Sequence, residues 1–162
     1  MLNNSDFMDV IKNTNLFAFD LIIKNHENKV LLAKRNNMPA KGFLFVPGGR
    51  VYKNENLNDA FSRILLEELG LKMNDFSCVK HKGLYNHIYK DNFYEIPSFN
   101  THYIVYAVEL KVKDAIIINL DEQHSEFLFM SIDDVLSNHS VHLYTKNYFI
   151  DRPDNSFVPT IV

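Results

Sequence analysis

Between Leu57 and Leu69 the chain carries a helix with an acid on the wrong side. Leu57, Ala60, Phe61, Ile64 and Leu65 recur at helical spacing, and Glu68 falls in the middle of the face they define. Gly70 supplies the stop signal. A surface helix carries an apolar residue at such a position. An unpaired carboxylate buried there costs several kcal/mol, so Glu68 has to be neutralised, ion-paired or bound to a cation. Glu67 and Arg63 lie on the flank of the same face, four residues apart, at the spacing of an intrahelical ion pair. Just upstream, Pro47-Gly48-Gly49 breaks a short apolar run and is followed by Arg50. The competing reading is a solvated glutamate pair near a helix end. A glycine-rich turn with an arginine, placed ahead of an acid-bearing helix, counts against it.

Around this unit the pattern predicts a sheet. Phe17 to Lys24 and Lys29 to Lys34 read as strands around a turn at Asn25-His26-Glu27-Asn28. Phe43 to Val46, Lys82 to Tyr89, Thr101 to Val112 and Glu126 to Met130 are further strands, rich in aromatic and β-branched residues. Ser131, with Asp134 three residues on, caps a following helix, and a last helix is expected around His142 to Ile150. Asp91 and Asn92 read as a turn. The order predicts an α+β fold, an α/β/α sandwich with a mixed β-sheet between helices, in a single domain over residues 1–162.

Composition narrows the function. The 46% apolar fraction, with 13 Phe and 8 Tyr, is enough for a large aromatic core and argues against disorder. A net charge of −3 from 17 basic and 20 acidic side chains argues against nucleic acid as the main partner, but not against a small anion held by a few arginines. Cys78 is the only cysteine, which excludes an intrachain disulfide or a cysteine-cluster zinc site. No signal peptide is read in the first residues, and Leu16 to Ile23 is too short to span a bilayer and is broken by Asp20. A cytoplasmic protein with no membrane partner is the expectation. Asp20 itself stands out, because an acid is out of place in an apolar strand. Either it faces solvent on an edge strand or it serves a polar ligand.

From Gly49 the sequence runs five residues to Glu55, seven to Arg63, and on through Ile64-Leu65-Leu66-Glu67-Glu68-Leu69-Gly70-Leu71. This resembles the Nudix box, G-x5-E-x7-R-E-U-x-E-E-x-G-U with U aliphatic, at every defined position except one. The glutamate expected after the arginine is Ile64. Further segments extend the resemblance from about Asp6 to Tyr148: Lys34-Arg35, Phe45-Val46-Pro47-Gly48-Gly49-Arg50-Val51, Asp91-Asn92-Phe93, Thr101-His102-Tyr103 and Asp121-Glu122-Gln123-His124. Together they are similar to the GDP-mannose mannosyl hydrolase branch of the family, which has an altered box. Members of that branch attack the anomeric carbon of the sugar with inversion, whereas ordinary Nudix enzymes attack phosphorus.

The resemblance implies a hydrolase acting on a small-molecule nucleotide sugar, dependent on Mg2+ with Mn2+ able to substitute, and a homodimer. It implies that Glu68, the backbone carbonyl of Gly48 and the side-chain oxygen of Gln123 hold the metal, all hard oxygen donors suited to magnesium. Glu67 is a further candidate ligand, and with both glutamates present a second ion is conceivable. Arg35 and Arg50 are expected to clamp the diphosphate, since a planar guanidinium binds two oxygens at once. Arg63 either orients a glutamate or touches phosphate. Tyr103 is a candidate phosphate donor. His124, next to Gln123, is the expected general base, because imidazole is largely neutral at pH 7 yet still basic. Asp20 and His87 match family positions near the sugar, and Tyr89 is a weaker candidate there. Two other readings stay open. One is a pyrophosphohydrolase that cuts between phosphates; the other is a catalytically silent nucleotide sensor.

Overall fold

The computed structural model describes residues 3–113 and 124–157, with the side chains of residues 124–126 outside the description. The elements in chain order are α1 (Asn4–Asn13), β1 (Leu16–Lys24), β2 (Val30–Arg35), β3 (Leu44–Phe45), β4 (Gly48–Arg50) and α2 (Leu57–Leu69). A 3₁₀ turn at Met73–Asp75 leads into β5 (Phe76–Tyr89), β6 (Thr101–Val112), β7 (His124–Met130), α3 (Ile132–Ser137) and α4 (Leu143–Asn147).

Among the described residues the strands form one mixed sheet with a spine β3-β2-β1-β6-β5. β1 and β6 run parallel, and the remaining pairs are antiparallel. β4 pairs with β1 through Ala18, Phe19 and Asp20, while β7 pairs with β2. The β1 strand is buried along nearly its whole length because both faces are covered. Side-chain alternation divides its residues between two cores. Phe19, Leu21 and Ile23 pack with Ala60, Ile64, Leu65 and Leu69 of α2. On the opposite face, Ile22 joins Leu32, Phe45, Tyr85, Val135 and Tyr148 beneath α3 and α4. Each fully buried leucine or isoleucine in these layers stabilises the fold by about 1.5–3 kcal/mol. The expected α/β/α sandwich is the one observed.

Helix α2 has the bounds its periodicity predicts. The Asn56 side chain accepts a hydrogen bond from the Asp59 amide at the N-terminus. At the other end Gly70 takes φ +68°, a left-handed conformation that glycine adopts without a Cβ clash, and its N–H bonds back to the last turn. One expectation fails here: Leu57, the first residue of the helix, is 52% exposed and lies outside the core that Ala60, Ile64, Leu65 and Leu69 join. The Ser131 cap is present, with its side chain accepting from the Asp134 amide. The last helix is shorter than expected, and β5 begins six residues earlier. Helix α1 was not anticipated from the pattern. Asn3 caps it by accepting from the Asp6 amide. Asn92 is more than a turn residue: fully buried, it donates to the carbonyls of Ile96 and Phe99 and accepts from the amides of Tyr94 and Ile96. One side chain thereby organises the β5–β6 connection.

Candidate active site

The site is built around the two glycines between β1 and α2. A Cβ on Gly48 would lie 2.4 Å from the Phe19 carbonyl oxygen and 2.6 Å from Asp20 Oδ1, so only glycine fits there. Gly49 meets the Ile64 side chain, where a Cβ would stand 3.0 Å from Cγ1. These contacts press the turn against the helix. Glu68 lies one turn beyond Ile64 on the same face and is 6% exposed. The acid read as misplaced is indeed inside. Ile64, standing where the box usually has a glutamate, is 1% exposed and belongs to the core.

Arg63 holds this unit together. Its Nε and Nη2 donate to the two carboxylate oxygens of Glu55 at 2.7 and 2.8 Å, and Nη1 donates to Glu67 at 2.8 Å. Nη2 also donates to the carbonyl oxygen of Arg50 at 2.8 Å, and the guanidinium lies 4.0 Å from the Tyr52 ring centroid. The paired guanidinium holds the Glu55 carboxyl down at about 2. With its donors engaged this way, Arg63 ties the loop of residues 50–55 and Glu67 to one point on the helix. The predicted Arg63–Glu67 pair is present.

Arg50 stacks on Phe7 of α1, 3.8 Å from the ring centroid, and Arg35 lies 5.7 Å from the Phe45 centroid. Among the described residues neither guanidinium is ion-paired to a carboxylate. Both act on Tyr103: burial raises its phenol, and the two positive charges oppose the rise. Two guanidiniums without a carboxylate partner among the described residues thus act on one tyrosine hydroxyl, a charge distribution suited to an anion with several oxygens.

A second group of polar residues is buried on the sheet face opposite α2. Asp20 is 8% exposed on an interior strand, which removes the edge-strand alternative. Tyr148 donates to Asp20 Oδ2 at 2.5 Å and lies 3.3 Å from His87 Nε2. Burial pushes Asp20 up to about 7, although Tyr148 and Arg35 act against the rise. Burial holds His87 down at about 3, assisted by His142 and Arg35. Tyr144 stacks face to face on His87, with centroids 4.2 Å apart, and Tyr89 packs edge-on against both rings. Asp20, His87, Tyr89 and Tyr103 are therefore brought together in the fold, Tyr103 through its edge-on contact with Tyr89. Tyr144 and Tyr148 were not singled out. Nothing in their spacing separates them from core aromatics, and their partners lie far away in the chain.

The donors of the first group fit magnesium: a buried carboxylate at Glu68 and a peptide carbonyl at Gly48, next to a cradle only glycine can line. Among the described residues no cluster of three or more His, Cys, Asp or Glu is present. Gln123 lies outside the described residues. His124 begins β7 with its backbone opposite Arg35; its side chain lies outside the description. Among the described residues no helix is long and apolar enough to cross a membrane.

The chain is similar to known proteins at two levels. It is 41% identical over 118 residues to the low-salt glycan biosynthesis protein Agl8 of Haloferax volcanii, covering 72% of this chain and 71% of that protein. A shorter match, 46% over 54 residues, relates it to an ADP-ribose pyrophosphatase of Methanocaldococcus jannaschii, spanning 33% of this chain and 31% of the relative. Among solved structures, the MutT protein from Methanosarcina mazei Go1 superposes with a TM-score of 0.63 at 21% identity, covering 83% of this chain and 90% of that one. The Nudix domain of Shewanella oneidensis NrtR, solved with ADP-ribose, superposes with a TM-score of 0.62 at 16% identity, covering 91% and 97%. At such identities the structural matches speak for the fold alone. The family model described as NUDIX domain matches residues 14–150, which include the Gly48-Gly49 turn, the Arg63 hub and Glu68; the chain belongs to the Nudix family.

Proposed function

We propose that this Nudix hydrolase, acting on a nucleoside diphosphate derivative, cleaves GDP-mannose to GDP and free mannose by attack of water on the anomeric carbon. The observation that carries the reading is the pairing of a single deeply buried helix acid, Glu68, with a core isoleucine where the box usually has another glutamate. The second support is the Asp20–Tyr148–His87 array beside Gly48, whose hydroxyl, imidazole and carboxyl groups suit a neutral polyol. The similarity to a glycan biosynthesis protein points the same way. Guanine and the manno configuration are carried by the sequence resemblance, with GDP-glucose as a second candidate substrate.

In this reading water donates its oxygen to C1 and a proton to His124, while the bond from C1 to the β-phosphate oxygen breaks and its electrons leave with GDP. Charge therefore grows on the diphosphate, and stabilising it is the largest catalytic term. Arg35, Arg50 and the Tyr103 hydroxyl meet that charge. Glu68, the Gly48 carbonyl and Gln123 would hold magnesium, which when bound neutralises part of the departing diphosphate. Asp20 and His87 orient the sugar, with Tyr89 packed beside them. Arg63 keeps the loop and Glu67 in register.

A second reading, cleavage between the phosphates, is favoured by Glu67, which Arg63 holds next to Glu68, and by the short match to an ADP-ribose pyrophosphatase. Product analysis separates the two. Incubation with GDP-mannose and Mg2+ should yield GDP and mannose; GMP and mannose 1-phosphate would select the second reading.

A further inference from the structure

Tyr148 closes α4 and is fully buried, 128 residues from Asp20 in sequence. A phenol has one hydrogen to give and two lone pairs to receive. Its hydrogen goes to Asp20 Oδ2, so the 3.3 Å contact with His87 Nε2 is a hydrogen bond only if the imidazole is the donor. His87 is 1% exposed, packed among Phe45, Tyr89 and Tyr144, and such surroundings keep the ring neutral with one proton to place.

We infer that Tyr148 is a positioning residue: its hydroxyl sets a one-way chain, His87 Nε2–H to Tyr148 O–H to Asp20, that fixes the His87 tautomer and leaves Nδ1 as a bare acceptor. The supporting contacts hold the chain still. Tyr144 stacks on His87 while its own hydroxyl donates to the Ile88 carbonyl at 2.7 Å and accepts from the Ile88 amide at 2.9 Å. Thr145, between them, accepts from the Val46 amide at 3.4 Å, tying the same segment to the strand that enters the glycine turn. The Tyr148 ring packs edge-on against Tyr85, centroids 4.8 Å apart, so its anchoring does not depend on the hydroxyl alone.

The consequence for the site rests on the sugar-nucleotide reading. A bare imidazole nitrogen accepts, and sugar hydroxyls donate, so at Nδ1 the chain favours a polyol over a group that offers only acceptors. The tautomer itself does not depend on that reading.

Histidine labelled with 15N reports the tautomer directly, because correlation spectra show which ring nitrogen carries the proton. Wild-type His87 should be protonated at Nε2. Tyr148→Phe, which keeps the ring, should lose that preference and show Nδ1–H in part or whole. Asp20→Ala should act in the opposite sense on Tyr148, freeing its hydrogen for Nε2 and driving His87 to Nδ1–H. A wild-type ring protonated at Nδ1, or a tautomer unchanged in both variants, overturns the inference whether or not GDP-mannose is the substrate. In turnover, Tyr148→Phe should raise KM for GDP-mannose about tenfold or more while inhibition by GDP, which lacks the sugar, stays within about twofold. Parallel weakening of GDP inhibition would show a general structural effect and overturn the positioning role. If wild-type protein leaves GDP-mannose intact, the proposed function fails and the spectroscopic result still decides.

Discussion

Gly48→Ala is the sharpest perturbation the geometry offers. The added methyl would fall 2.4 Å from the Phe19 carbonyl oxygen and 2.6 Å from Asp20 Oδ1, where ordinary van der Waals contact begins at 3.4 Å. The Phe19 oxygen is backbone on an interior strand, flanked by β4 and β6, so it cannot swing aside. The β4 turn has to move instead, by a distance on the order of the missing 1 Å. Overpacking of this kind costs about 1–3 kcal/mol. For a domain of this size each kcal/mol lowers Tm by about 2–4 °C, so the variant should melt roughly 2–12 °C early. The same displacement carries the Gly48 carbonyl away from its place, and a misplacement near 1 Å can cost about 100-fold in rate. Gly49→Ala is the internal control. Its three nearest atoms are side-chain atoms of Ile64 at 3.0–3.4 Å, a milder overlap than the backbone clash at Gly48. Thermal melts and a magnesium titration of activity, run on both variants, test the argument. A Gly48→Ala protein with wild-type melting and activity within twofold would refute it.

Other outcomes follow from the same geometry. Ile64→Glu, which restores the missing acid of the box, should destabilise the fold by about 3–5 kcal/mol, because a charge would enter the packed core without a partner; an unchanged melting curve contradicts the burial of this side chain in the core. Glu68→Gln should raise the magnesium concentration needed for half-activation at least about tenfold, a carboxylate being the charged member of a hard-oxygen set; an identical titration removes Glu68 from that role. Acid should weaken the fold. His87 is held at about 3 and His142 at about 4, both below 6.5, so the unfolded chain takes up these protons first and stability is lost as pH falls below about 6.5. Asp20, raised to about 7, has the opposite sign and gains stability as pH falls from 7 toward 3.8. Two histidines outweigh one aspartate, so Tm should drop between pH 7 and 4; a rise over that interval contradicts the burial of the histidines.

What the sequence reveals depends on how local the signal is. Helix α2 declares its extent and its buried acid, because the apolar period and the glycine stop lie in one short stretch of chain. Asp20 is conspicuous for the same reason, as an acid inside an apolar run. Leu57 misleads because the period alone does not say which turns of a helix find a packing partner. Helix α1 had a readable signal in Asn3 with Asp6 and in Phe7, Val10 and Ile11, although its apolar face is narrow and only Ile11 is buried. Its importance, the stacking of Phe7 under Arg50, is invisible without the fold. The Tyr148 role is the extreme case. Its three partners, Asp20 on β1 and Tyr85 and His87 on β5, lie far from it in the chain, and an aromatic in an amphipathic stretch looks like any other core residue.

The central claim concerns which atom water strikes. Hydrolysis of GDP-mannose with magnesium in 18O-enriched water, followed by mass analysis of both products and by NMR of the first-formed anomer, reads that atom directly. The account predicts label in mannose, none in GDP, and β-mannose released before mutarotation. Label on a phosphate, in GMP or in mannose 1-phosphate, would contradict it.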